Sequence, residues 1–165
     1  MKIFYTVLFI ITTLNLNAQK MNIETDTTAK CYAGNSILIN SDINNVFGIL
    51  ADINNWPAWQ SNVSKAVMDG NAEVGKTFKW KSGSLMIRSK LHTVDPSGKI
   101  GWTGRIWWIT AIHNWYLSDE NGKTRVVVKE SLKGTGSAKM KDSLNEGMIK
   151  NLQELKEYAE KKECL

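Results

Sequence analysis

The sequence predicts an α+β fold: a curved seven-stranded antiparallel sheet around one long C-terminal helix, with two short helices after the first strand. Three observations predict it. From Lys99 onward the chain runs as three period-2 segments punctuated by turn residues. From about Ser137 to Lys162 the pattern changes to that of an amphipathic helix, which closes the chain. A lone terminal helix after a Trp-rich antiparallel run must lay its apolar stripe across the sheet, and a curved sheet gripping one helix tends to leave a cavity between them.

The first residues stand outside this domain. Lys2 gives a short positive start, Ile3 to Leu14 form an apolar run too short to span a bilayer comfortably, and Ala18 precedes Gln19. This is a secretory signal layout, so residues 1–18 are expected to be removed and the protein to be exported, periplasmic or secreted. The other reading of the same run is an uncleaved membrane anchor. Residues 19–34, rich in Thr, Asn, Asp and Lys, read as an N-terminal tether, and 35–162 as the folded domain. The chain has room for one domain with a sizeable core.

Within that domain Ser36 to Asn40 make the first strand, with Ile37 and Ile39 on one face. Ser41 is a suitable N-cap for a helix carrying Ile43, Val46, Phe47 and Leu50. Asn54-Asn55 interrupts it, and Trp56-Pro57-Ala58-Trp59 forms a second short helix or turn, Pro57 suiting its first turn. Strands follow at Val63–Met68, Thr77–Lys81 and Ser84–Val94, with Ser82-Gly83 as a tight turn between the last two. Asp95-Pro96-Ser97-Gly98 has the chemistry of a β-turn, Pro second and Gly fourth. Ile100–Gly104, Trp107–Leu117 and Arg125–Leu132 complete the sheet, and Asn121-Gly122 is the strongest hairpin signal in the chain.

The closing helix repeats apolar residues at Met140, Leu144, Met148, Leu152, Leu155 and Ala159, and Gly147 and Asn151 fall on the same stripe. A glycine inside a helix costs about 1 kcal/mol relative to alanine. Its place on the buried face means either that room is needed there for a ligand or that the helix backbone packs closely on a tryptophan.

Charge and ligand-residue counts exclude two function classes. The chain carries +5, but its basic residues are scattered along the sequence among acids, which is not a nucleic-acid footprint. Two cysteines and two histidines, His92 and His113, have no metal-ligand spacing, and no cofactor motif is present. Cys31 and Cys164, near the two ends, are either a disulfide or two free thiols. Asn62-Val63-Ser64 matches a glycosylation acceptor at the level of coincidence.

The order of elements carries recognisable residues: Trp56-Pro57-Ala58-Trp59, then Gly75-Lys76-Thr77-Phe78-Lys79-Trp80, then Val94-Asp95-Pro96 before Gly101-Trp102-Thr103-Gly104. Thr124-Arg125-Val126-Val127-Val128-Lys129-Glu130-Ser131 leads to Gly134. Over about residues 35–160 the chain resembles the START-like (SRPBCC) helix-grip superfamily, in particular its polyketide cyclase/dehydrase-like branch. The resemblance implies a helix-grip fold and a cavity for an apolar or aromatic small molecule. It says little about chemistry, because that superfamily hosts lipid carriers, hormone receptors and cyclases alike.

Seven tryptophans are many for this length and can either line a pocket or fill a core. The expected ligand-binding set is Trp80, Leu91, Trp102, His113, Trp115, Val128, Glu130, Gly147 and Asn151. Trp107-Trp108, at the start of a strand, must send one ring away from the core: a lip over the cavity mouth, an ordinary surface tryptophan, or a membrane contact that no basic cluster accompanies. Arg88, Lys90 and His92 alternate with apolar neighbours and belong on the outer face. Gly134-Thr135-Gly136 is a turn that swings the last helix onto the sheet, or an anion site at its start.

The sharpest expectation concerns His113 and Glu130. If Asn121-Gly122 is a two-residue turn, Glu120 pairs with Lys123, Leu117 with Val126, Trp115 with Val128 and His113 with Glu130. Glu130 falls on the apolar face of its strand, and the pairing puts His113 there too. A three-residue loop would turn His113 outward. A carboxylate against an imidazole in a low-dielectric pocket stabilises the imidazolium, and such a pair can donate or accept a proton. It can equally be a satisfied polar pair that orients the sheet or a ligand carbonyl. The leading functional expectation is therefore non-catalytic binding of a hydrophobic or aromatic small molecule, including lipid. The rival is a cyclase, dehydratase or lyase using His113 and Glu130, and the third option is a protein-interaction module.

Overall fold

Residues 23–163 are described by a computed structural model. The expected signal segment 1–18 and Cys164 lie outside the described residues. The chain runs β1 (Cys31–Ile39), α1 (Ile43–Ala51), a 3-10 helix (Ile53–Ala58), β2 (Val63–Met68), β3 (Thr77–Ser82), β4 (Leu85–Asp95), β5 (Lys99–Ile106), β6 (Ile109–Glu120), β7 (Lys123–Lys133), a 3-10 turn (Ser137–Met140) and α2 (Lys141–Glu163). The sheet order is β1-β7-β6-β5-β4-β3-β2, with each neighbouring pair antiparallel. β2 to β7 thus form a continuous meander, and β1 joins its last strand.

Asn121 and Gly122 both take positive φ, 57° and 79°, as a two-residue hairpin turn requires. The register that follows pairs Glu120 with Lys123, Trp115 with Val128 and His113 with Glu130. Odd residues of β6 and even residues of β7 therefore face the helix, and their neighbours face outward.

Several boundaries differ from those the sequence suggests. β1 begins at Cys31, so residues 31–34 are strand rather than tether, because Cys31 and Ala33 are buried where β1 pairs with β7. Residues 23–30 are also fastened: Asp26 N donates to Ser131 Oγ at 3.1 Å, and Asn114 Nδ2 donates to Ile23 O at 3.0 Å. The α1 cap is Asp42, not Ser41; its carboxylate accepts from Asn44 N (2.8 Å) and Asn45 N (3.0 Å). Ser41 is buried instead, its carbonyl accepting from Thr124 Oγ1 at 2.7 Å. The β3–β4 turn is Gly83-Ser84, and Trp107-Trp108 is a turn before β6 rather than its first residues.

The space between sheet and helix is filled at one end only. α1 and the following 3-10 helix bring Val46, Phe47, Leu50, Ile53 and Trp56 against Phe78, Trp102, Leu152 and Leu155, all buried in one cluster. Trp56 stands edge-on to Phe78 with ring centroids 5.4 Å apart and edge-on to Trp80 at 5.6 Å. Full burial of side chains of this size stabilises by about 1.5–3 kcal/mol each. Beyond this plug the helix continues alone. α2 lies nearer β1 than any other strand, moored by Asn35 Nδ2 donating to Asn145 Oδ1 (2.9 Å) and Lys156 Nζ donating to Leu38 O (3.1 Å). The far strands β3 to β6 then curve away from the first half of α2.

Candidate functional site

That half-open space is a cavity of about 220 Å³. The roof comes from Met140, Ser143, Leu144, Gly147, Met148 and Asn151; the floor from Trp80, Ile87, Trp102, Gly104, Ala111, His113, Glu130 and Leu132. Small residues keep it open. A Cβ added to Gly147 would meet no atom within 4 Å, so this glycine faces free space rather than a tryptophan. Gly104 and Ala111 are cross-strand partners on the floor, where larger side chains would fill the volume.

His113 is the polar centre of the floor. Its Nδ1 donates to Glu130 Oε2 at 2.7 Å, and both side chains are largely buried. Its ring lies flat on Trp102, centroids 4.5 Å apart and planes 11° from parallel. Two fixed neighbours thus hold one rotamer, and among the described residues Nε2 is left buried with no hydrogen-bond partner. With the proton on Nδ1, Nε2 of the neutral ring is an acceptor. Asn62 Oδ1 and Asn151 Oδ1, on cavity-lining side chains, are also buried without partners. Buried polar atoms usually have partners, so three on the walls of one mostly apolar space suit a ligand carrying O–H or N–H groups.

Of the nine residues expected to bind, Trp80, Trp102, His113, Glu130, Gly147 and Asn151 line the cavity. Leu91, Trp115 and Val128 do not. They face the helix side as expected but are at most 2% exposed, packed into the plugged end with Ile100 and Leu155. Periodicity gives the face of a residue and not its height along the strand, and it is height that separates cavity from core here. Asn62, Ile87, Gly104, Ala111 and Leu132 line the cavity as well, and of these the cross-strand pair of small residues, Gly104 opposite Ala111, is the sequence sign of a hollow. Asn62 of the glycosylation-like triplet turns into the cavity wall, its Nδ2 donating to Ser82 Oγ at 3.3 Å.

His92 points to the outer face, yet it is buried there. A bulge between Leu91 and Thr93 seats it over Gly101, next to Asn114. Burial, the largest cause, pushes its pKa down to about 4. Among the described residues no group of three or more His, Cys, Asp or Glu could hold a metal, and no helix is long and apolar enough to cross a membrane.

Comparison with known proteins places this architecture. The family described as polyketide cyclase/dehydrase and lipid transport matches residues 33–160. No curated protein matches the sequence. A hypothetical protein of Helicobacter pylori superimposes with a TM-score of 0.70 at 15% identity, covering 93% of this chain and 99% of that one. A START superfamily protein from Mycobacterium smegmatis gives 0.68 at 9% identity, over 79% and 97% of the two chains. The Zhui aromatase/cyclase from Streptomyces sp. R1128 gives 0.68 at 11% identity, over 78% and 93%. At such identities these likenesses bear on the fold, and the fold is the helix-grip arrangement of START-like proteins. With more than half of its length matched in sequence, the chain belongs to the polyketide cyclase/dehydrase and lipid transport family.

Proposed function

We propose that this protein binds a compact, mostly apolar molecule, aromatic or lipid-like, that carries at least one O–H or N–H group, in the cavity beneath the first half of α2. The observation that carries the reading is the unpartnered Nε2 of His113, held by Glu130 and Trp102 on an otherwise apolar floor. The volume of about 220 Å³ lies below the ~300–1,000 Å³ usual for ligand clefts, which favours one or two rings or part of a lipid. Native mass spectrometry of the purified protein, with N-phenylnaphthylamine as a neutral probe bearing one N–H, tests it. His113→Ala and Glu130→Gln should each weaken probe binding about tenfold while leaving the melting curve cooperative. A cavity that stays empty and collapsed, or binding that neither substitution alters, overturns the assignment.

A second reading rests on the same pair. An imidazole aligned by a carboxylate at 2.7 Å can pass a proton to and from a bound carbonyl compound, as a cyclase, dehydratase or lyase requires. The family description and the aromatase/cyclase relative favour keeping it. Turnover of the molecule found by mass spectrometry separates enzyme from carrier. We further propose that the protein works outside the cytoplasm, on the strength of Lys2, the apolar run Ile3–Leu14 and Ala18 before Gln19. The mass of the mature N-terminus tests this, and an intact Met1 overturns it.

A further inference from the structure

The convex face of the sheet has two unlike halves. Over β5 to β7, residues 23–26 lie across the strands and meet their cations with carboxylates: Glu24 pairs with Lys99 at 2.6 Å and Asp26 with Lys133 at 2.9 Å. Over β2 to β5 no described segment covers the face. Six cations far apart in sequence, Lys65, Lys79, Lys81, Arg88, Lys90 and Arg105, are all exposed there. Register sets like against like: Lys65 opposite Lys81, Lys79 opposite Arg88, and Arg88 opposite Arg105. Among the described residues none of the six makes an ion pair. Like charges directly opposite destabilise a sheet, so folding alone gives no reason for this arrangement.

Beside the cations stands the turn between β5 and β6. Trp107 and Trp108 are 71% and 63% exposed, their rings stacked with centroids 5.7 Å apart. Trp107 has a φ of 49°, a conformation that bulky residues rarely adopt. Trp108 is pinned by its Nε1 donating to Thr135 O at 3.0 Å, and Gly134 lets that loop approach, since a Cβ there would lie 2.3 Å from Trp108 O. Exposed Met86 and Val67 extend the apolar surface.

Between cations and tryptophans runs an open groove of about 510 Å³, lined by Lys79, Arg88, Arg105, Met86 and Trp107. It exists because β4 pairs with β5 only from Arg88 opposite Arg105 onward, so Leu85 to Ile87 splay away from Ile106. Leu85, Ile87 and Ile106 line this groove and the internal cavity alike. The groove is therefore a seam in the sheet that reaches the cavity wall.

We propose that this half of the convex face docks the protein on an anionic phospholipid bilayer. The cations meet the headgroup charge, Trp107 and Trp108 sit at headgroup depth, and the β4–β5 seam faces the lipid. Each basic residue near such a surface contributes to attraction, and tryptophans favour the interface. A nucleic acid would match the charge too, but the two indoles stack on each other rather than offering open faces to bases. The docking stands apart from what the cavity holds.

Partitioning of the full chain into vesicles of equal parts phosphatidylglycerol and phosphatidylcholine, against phosphatidylcholine alone, tests the proposal. Lys2 and the apolar N-terminal run are common to all variants, so the change in vesicle preference from variant to variant isolates the charged face. The preference should fall steeply with added salt. Neutralising one cation should cost about fivefold, and Lys79→Gln/Arg88→Gln/Arg105→Gln about a hundredfold. That triple variant should melt no lower than the natural chain, because opposed like charges are removed. Trp107→Ser/Trp108→Ser should lower binding to anionic vesicles severalfold with its circular dichroism unchanged. An unchanged vesicle preference in the triple variant, unchanged binding in the tryptophan variant, or preferential binding to duplex DNA overturns the proposal.

Discussion

The two halves of α2 cover the same sheet with the same kind of stripe and do opposite things. The second half, with Leu152, Leu155 and Ala159 at most 3% exposed, closes a core plugged by α1 and Trp56. The first half, with Leu144, Gly147 and Asn151, roofs a cavity. The difference lies in what else reaches the gap. Where α1 enters, apolar volume fills the space; where it does not, Gly104, Ala111 and Gly147 leave the space empty. Stability is concentrated at one end of the grip, and capacity for a guest at the other.

The largest expected effect tests the filled end. Leu155→Ala removes a fully buried side chain and should cost about 3 kcal/mol, measured by urea unfolding. The same change at Leu144, on the cavity roof, should cost about 1 kcal/mol or less, because the side chain already borders empty space. Equal losses at the two sites would mean the ends are not different.

Next comes the glycine. Gly147→Ala should raise stability by about 1 kcal/mol, since open space meets the new Cβ and alanine is the better helix former. Gly147→Leu should keep most of that gain yet block N-phenylnaphthylamine, separating stability from binding at one position. A drop in stability with either change would place packed atoms where the structure has a void.

The back of the sheet, behind Leu91, adds a dependence on pH. Burial holds His92 neutral, with its pKa near 4 against an ordinary 6.5. The unfolded chain therefore takes up the proton first, so stability is full above about pH 6.5 and declines as pH falls towards 4. His92→Gln should flatten that part of the curve, and an unchanged slope would show His92 to be solvated. The hydrogen bond from Thr28, then that from Lys133, hold the Asp26 carboxyl down near 2, so its loss begins only at lower pH.

The ordering of elements was legible because turn chemistry and period report on local geometry. Asn121-Gly122 alone fixed the β6–β7 register and with it the meeting of His113 and Glu130. What stayed hidden depends on distances between strands. The bulge at Leu91/Thr93, the burial of His92 beside Gly101 and Asn114, and the fastening of Ile23 to Asn114 carry no periodic signal. Leu91, Trp115 and Val128 show the same alternation as the cavity residues and differ only in lying under the plug. The six cations of the convex face occur singly along β2 to β5, and only pairing across four strands collects them.

One feature of the topology bears on how the chain reaches this form. β2 to β7 pair with sequence neighbours, so each hairpin can zip as soon as its turn closes. β1 is the exception, since Cys31 lies against Leu132 and Ile39 against Thr124. The earliest strand to be synthesised must wait for the last before it has a partner. Such distant pairings slow two-state folding into the millisecond-to-second range. During that wait the nascent chain carries an unpaired strand, with Cys31, Ala33 and Ile39 of its core-facing side uncovered. Substitutions in β1 are accordingly expected to accelerate unfolding more than they retard folding, the kinetic signature of a piece that arrives last.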